Sequence, residues 1–418
     1  MDAEKWLYTM KVFDEYERRF AQARCNKKFR PVHLADVRDE VVKEAKDILS
    51  YKDELVPVID GMEEVSRISY DTYDVIQLRY RTWDNFYGCA TLYEPHLEGK
   101  IPLVFLFCGH GAKGRNSEAY LKMGHALASK GVAVFSPENI GQGDRIHQGH
   151  RDCIAPFYCG LTLQGLIVME SVAVVRYMSS LSRYDSEKIA ACGNSGGGVL
   201  TLFMAAFAPE IKVLSSSGYP SEFSHIMLKE KNHCACNLLP GVAKGPEMWE
   251  ILSTFAPKPI LLEQGMYDQL FPLDIAYRNA RKVENVYVQL GAKENFNFAA
   301  TKEIHSWGNE DYEVIGNFLL KNLGVEWDGK IIDSVTDLDL SEKNVEIPQT
   351  SLTTSQLAEC LTGIKMSEGT MLSDIFPPVF EGELLRKESV ADNVCRGDTM
   401  TVLAQMESAL KGFNTENK

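Results

Sequence analysis

Residues 187–208 read EKIAACGNSGGGVLTLFMAAFA. An apolar run of strand composition enters four glycines in six positions around one serine, and an apolar run of helical length follows at once. Glycine weakens the interior of a strand or a helix, so this cluster implies a sharp turn that other atoms approach closely. The spacing fits Gly-x-Ser-x-Gly, in which a strained strand-to-helix turn lifts a serine hydroxyl clear of the backbone. A glycine-rich turn that holds a phosphate fits the same letters, and the rest of the chain has to decide between the two.

The rest of the chain supplies strand–helix alternation. YDVIQLRY and FYGCATLY have strand composition and are joined by the turn-like RTWDN. PLVFLF is a continuous apolar run, as in a strand buried on both faces. Helical and strand patterns then alternate through KIAAC, IKVLSSSG, KPILLEQ and NVYVQL to a closing helix, NEDYEVIGNFLLKNLG. The pattern predicts an α/β fold: about eight strands between residues 74 and 290, mostly parallel, starting antiparallel, with helices on both faces. Residues 1–70 carry apolar residues at three- and four-residue spacing and are read as an N-terminal helical extension. Residues 71–324 form the catalytic domain, and 325–418, without β–α rhythm, an appended segment packed on it and disordered at KGFNTENK.

A serine hydroxyl is a weak nucleophile and needs a base, which in turn needs a carboxylate to orient it. After a Gly-x-Ser-x-Gly turn the partners follow in the order serine, acid, histidine. Asp268, in ILLEQGMYDQLFP, and His305, in ATKEIHSWGNEDYEV, both follow predicted strands. Glu263 is a competing carboxylate. His110, His147 and His150 precede the serine, and His225 and His233 precede the acid. Ser195, Asp268 and His305 are therefore the candidate catalytic residues. An oxyanion needs backbone donors: one is expected from Gly196, the other from FCGHGAKGRN, where His110 and Gly111 are not separable by sequence.

Two loops exceed a plain crossover, 137–160 and 219–246, and long loops in compact domains are usually functional. Arg145 and Glu138 in the first are candidates to bind substrate, or to pair with each other and hold the loop. The second contains NHCAC, with His233, Cys234 and Cys236. That is half a metal site, but no second pair at ligand spacing follows. It is read as pocket wall, and neither a metal nor another cofactor is expected.

Net charge is −14, which argues against nucleic-acid binding and against docking on an anionic membrane. The first twenty residues are charged throughout and lack the apolar core of a secretory signal. No apolar run reaches the roughly 18 residues that span a bilayer. A cytoplasmic protein is expected, with its ten cysteines reduced.

Together these segments resemble the α/β-hydrolase superfamily, and within it the branch of bacterial carbohydrate acetyl esterases and dienelactone-hydrolase-like enzymes. CGHGAKG resembles that branch's HGHG-x-x-K, PENIGQGDR its PD-x-x-G-x-G-x-R, and APKPILLEQGMYDQLFP its acid-bearing segment; the likeness runs from about residue 60 to 324. Two departures stand out. Cys108 replaces the first histidine of the donor loop. Gly196 follows the nucleophile where neighbouring glucuronoyl esterases carry arginine, which points away from that activity. The resemblance implies a serine carboxylic-ester hydrolase that removes small acyl groups, acetyl first, from a sugar or other hydroxylated small molecule, and a homodimer. The same triad also serves C–C-bond hydrolases and peptidases, and a non-enzymatic scaffold is the third expectation.

Overall fold

The computed structural model describes residues 37–150, 154–227, 234–239, 241–242, 245–331, 344–367 and 369–370. The predicted helix over AEKWLYTMKVFDEYERRFAQA and the C-terminal KGFNTENK lie outside them.

Among the described residues, nine strands form one sheet: β1 (Glu63–Ser69), β2 (Tyr73–Arg81), β3 (Tyr87–Pro95), β4 (Ile101–Phe107), β5 (Ala133–Pro137), β6 (Tyr184–Asn194), β7 (Val213–Ser217), β8 (Ile260–Gly265) and β9 (Phe296–Thr301). Their order is β1-β2-β3-β5-β4-β6-β7-β8-β9. The pairings from β1 to β5 through β3 are antiparallel, and the other five are parallel.

Strand β4 is apolar at every position because the sheet is covered on both sides. In β4, Leu103, Phe105 and Phe107 join one core, while Val104, Leu106 and the adjoining Cys108 join the other. Period-two alternation thus sends both sets into protein. One face is covered by α2 (Glu118–Ala128) and α9 (Asn309–Leu323). The other carries α1 (Arg38–Leu49), α4 (Leu163–Ser180), α5 (Gly196–Phe207), α7 (Met248–Ser253) and α8 (Leu273–Gln289). The short helices α3 (Ile154–Tyr158) and α6 (Phe223–Met227) lie in the two long loops.

Two segments differ from the sequence expectation. NVYVQL is not a strand; all but its last residue belongs to α8. Its β-branched residues suggested a strand, but Ala276, Ala280, Val283, Val286 and Tyr287 bury one continuous helical stripe. The last strand is instead β9, FNFAAT. At the other end, Glu63–Ser69 lies within the stretch read as helical extension, yet it is the edge strand β1, polar and mostly exposed.

Residues 344–366 run back over the domain. Val345 and Ile347 pack with Cys89 and Tyr87. Helix α10 (Thr354–Thr362), capped by reciprocal bonds between Thr353 and Gln356, packs on α3. Thr354 Oγ1 donates to the carbonyls of Gln148 and Gly149, at 2.9 and 2.7 Å.

Candidate active site

Strand β6 ends at Asn194 and α5 begins at Gly196, so Ser195 makes the whole turn. Its φ of 58° and ψ of −115° are strained for a residue with a Cβ. The glycines allow it by close approach. A Cβ on Gly197 would lie 2.0 Å from the Phe107 carbonyl oxygen, and one on Gly193 would lie 2.5 Å from the Gly197 oxygen. Ser195 N–H donates to the Ser217 carbonyl at 3.0 Å, which ties the turn to β7.

The structure brings Ser195, His305 and Asp268 together. Ser195 Oγ donates to His305 Nε2 at 2.8 Å, and His305 Nδ1–H donates to Asp268 Oδ2 at 2.8 Å, the tautomer being the one this chain of bonds requires. The His305 ring stacks on Phe271, with centroids 5.4 Å apart. Asp268 Oδ1 accepts from the N–H groups of Leu270 and Phe271, and Oδ2 also accepts from Gln264 Nε2. Burial pulls its carboxyl upward, but His305 and the two N–H donors outweigh this and hold it below the ordinary carboxylate value.

Glu263 has the opposite environment. It is 4 % exposed, accepts from Thr301 Oγ1 at 3.0 Å, and shares a hydrogen bond with Asp311. Burial, with Asp311 next, pushes its carboxyl well above the ordinary value. The folded protein therefore holds a proton that the unfolded chain releases. Stability falls as pH rises from the ordinary glutamate value, about 4.3, through the folded value. Glu263→Gln removes that penalty and keeps an oxygen for Thr301. Its Tm advantage over the wild type is expected to grow from pH 4 to pH 8, by about 2–4 °C per kcal/mol. A flat Tm difference across that range would show that Glu263 carries no such proton.

The loop after β4 lies against the serine turn. Gly109 N–H donates to Tyr120 Oη at 2.6 Å, and Tyr120 Oη donates to the Asn194 carbonyl at 3.5 Å. Gly111 N–H is taken by Gln142 Oε1 at 3.1 Å. His110 Nδ1 lies 2.8 Å from where a Cβ on residue 196 would sit, so this loop position requires glycine there. Asn194 Nδ2 donates to the His305 carbonyl at 2.8 Å, fixing the histidine loop to the serine turn. Sequence reasoning missed Asn194, Tyr120 and Gln142 as positioning residues; only their adjacency to motif residues hinted at them.

The expectation that Arg145 and Glu138 contact substrate is corrected; the alternative, that they pair to hold the loop, holds only through the Glu138 carbonyl, because each charged group has another partner. Both side chains are fully buried. Arg145 forms a bidentate pair with Glu170, at 2.7 and 2.9 Å, and donates to Gln148 Oε1 and the Glu138 carbonyl. Glu138 pairs with Arg115 at 3.1 Å, and Arg115 also reaches Asp144 at 2.8 Å. These residues hold the loop from inside, through partners on α4 and after β4.

NHCAC is more than pocket wall. Its His233 lies outside the described residues, but Cys234 and Cys236 meet His110 and His150. The Cys234 thiol is held well below its ordinary value, first by the hydrogen bond from Cys236 and also by the two imidazoles. The seven cysteines among the described residues are free thiols.

Comparison with known proteins agrees with this architecture. The family described as acetyl xylan esterase (AXE1) matches residues 58–235. The chain superimposes on Methylesterase BT1017 with a TM-score of 0.65 at 21% identity, covering 78% of this chain and 74% of that one. The chain has an α/β-hydrolase fold. The chain is also 26% identical over 222 residues to the putative hydrolase YtaP of Bacillus subtilis (strain 168), covering 50% of this chain and 74% of that protein. A putative acetyl xylan esterase from Bacteroides fragilis NCTC 9343 shares its fold, with a TM-score of 0.54 at 14% identity over 66% of this chain and 77% of that one. Among the described residues, no helix is long and apolar enough to cross a membrane.

Proposed function

We propose that the esterase removes a small acyl group, acetyl first, from a sugar or other hydroxylated small molecule. The observation that carries the mechanism is the unbroken chain of hydrogen bonds Ser195–His305–Asp268 at the strained turn. Ser195 attacks the ester carbonyl, and His305 takes its proton and returns it to the leaving alkoxide. Asp268 holds the histidine tautomer and stabilises the imidazolium. Water then enters as the second nucleophile and releases the acid.

The oxyanion is held by the N–H of Gly196, at the start of α5, and by that of His110. Gly111 is set aside because Gln142 already occupies its N–H. The acetyl preference rests on the acetyl xylan esterase match and on crowding near the serine. Tyr219 packs 2.9 Å from where a Cβ on Gly198 would sit, and its ring lies 5.5 Å from that of Phe271, which backs His305. The sugar preference rests on the family match and on exposed Tyr267 and Ile304, which adjoin Asp268 and His305 in sequence; an exposed aromatic suits the C–H face of a sugar.

The test is hydrolysis of p-nitrophenyl acetate against p-nitrophenyl octanoate, followed by acetylated xylo-oligosaccharides and methyl-esterified uronides. Acetate turnover at least about tenfold above octanoate, a difference of about 1.4 kcal/mol in transition-state binding, is the expected result. If neither ester nor any acetylated or methylated sugar turns over while a fluorophosphonate labels Ser195, the ester reading fails, and β-diketones and peptides become the substrates to assay.

A further inference from the structure

We propose that His110, His150, Cys234 and Cys236 form a Cys2His2 site that binds one Zn2+ and ties together three loops beside Ser195. Their ligand atoms all lie within 4.8 Å of one another. His110 Nε2 is 2.7 Å from His150 Nε2 and 3.3 Å from Cys236 Sγ. Zinc bonds of about 2.0–2.1 Å to nitrogen and 2.3 Å to sulfur, in a tetrahedron, put ligand atoms roughly 3.3–3.8 Å apart. The cluster brackets those separations, so side-chain shifts of order 1 Å convert it into a coordination shell.

The chemistry of the donors selects the ion. Two thiols and two imidazoles, with no carboxylate among them, suit zinc and not magnesium or calcium. His150 is already set for the role: its Nδ1–H donates to the Ile140 carbonyl at 2.6 Å. That bond fixes the tautomer and leaves the Nε2 lone pair facing the cluster, the usual arrangement around a metal-bound histidine. Four protein ligands complete a tetrahedron and leave no open position, so the site is structural.

Its place gives it a task. His110 follows β4, His150 lies in the long loop after β5, and the two cysteines lie in the long loop after β7. Of these, the His110 loop abuts Gly196. A cation on Nε2 would hold that loop against the serine turn, which makes the four ligands positioning residues. The inference rests on the cluster and not on the ester reading, and its first readouts do not involve turnover.

The decisive experiment is metal analysis of the full chain, purified under reducing conditions without chelator. About one zinc per chain is expected, surviving exhaustive buffer exchange. Stripping at low pH and titrating with Co2+ should give an end-point at one equivalent, with the intense absorption of tetrahedral cobalt and a thiolate charge-transfer band. Cys236→Ser should abolish the charge-transfer band or shift it. If that variant does not fold, protection of two thiols from alkylation by Zn2+ in the wild type tests the same bonds. Wild type that retains less than about a tenth of an equivalent after zinc loading, with both thiols still reactive, overturns the proposal. So does octahedral, thiolate-free cobalt.

Discussion

Ser195→Ala should lower kcat on p-nitrophenyl acetate by about four to six orders of magnitude and leave Tm almost unchanged. The first half follows from the proposed role: without the hydroxyl there is no acyl-enzyme, and only binding and the oxyanion donors remain to accelerate attack by water. The second half follows from the structure. Alanine inherits the φ of 58° and loses one hydrogen bond, to His305, which is itself held by Asp268 and Phe271. Catalytic side chains in strained settings often cost stability, so a small gain is equally consistent. Asp268→Asn should approach the same loss, about 10^4-fold, because the amide can present an N–H where His305 Nδ1–H needs an acceptor. Steady-state kinetics beside thermal unfolding checks both. Ser195→Ala protein retaining more than about a tenth of wild-type kcat would remove Ser195 from the mechanism.

Arg115→Met should cost about 3–5 kcal/mol of stability, a fall in Tm of order 10 °C. Arg115 is wholly buried and donates to Glu138 at 3.1 Å, Asp144 at 2.8 Å, Gln77 at 3.1 Å and Thr91 at 3.1 Å. Methionine fills much of its volume but leaves two acids facing each other in the interior. Burial already pushes the Glu138 carboxyl up, with Arg115 opposing. Without the arginine, the folded protein takes up a proton there that the unfolded chain lacks at neutral pH. The stability deficit should therefore shrink as pH falls toward 5 and widen toward 8. Arg115→Lys restores one charge but not the fork of donors, and should fall between the two. Chemical denaturation at pH 5 and pH 8 separates these outcomes; a deficit under about 1 kcal/mol at both would mean that the buried cluster contributes little.

What could be read from the letters follows from how local each signal is. The serine turn was legible because a strand, four glycines and a helix are contiguous, and Asp268 and His305 because chain order restricts them to the ends of later strands. The strand at Glu63–Ser69 was not, since an exposed edge strand has little apolar pattern to show. NVYVQL misled because β-branched composition spoke for a strand, while the stripe that decides for a helix begins nine residues earlier. Arg145 and Glu138 looked available for substrate because loop charges are normally solvated. Nothing near them in sequence shows that Glu170 and Arg115 arrive from other elements to receive them. The Cys–His cluster was half visible for the same reason: Cys-x-Cys is local, but its histidines come from two other loops.

The return of residues 344–366 over the domain also bears on how the molecule is made. The bond from Thr354 to Gln148 joins groups 206 positions apart, and Asp144, beside Arg115, receives the Val345 N–H from 201 positions away. A ribosome delivers every strand of the sheet before either donor exists. A nascent chain can thus assemble its serine turn while the loop bearing His150 still lacks its last fastenings. Protection of that loop from proteolysis during synthesis should lag behind that of the sheet, and the loop would be fastened only after residue 354 has emerged.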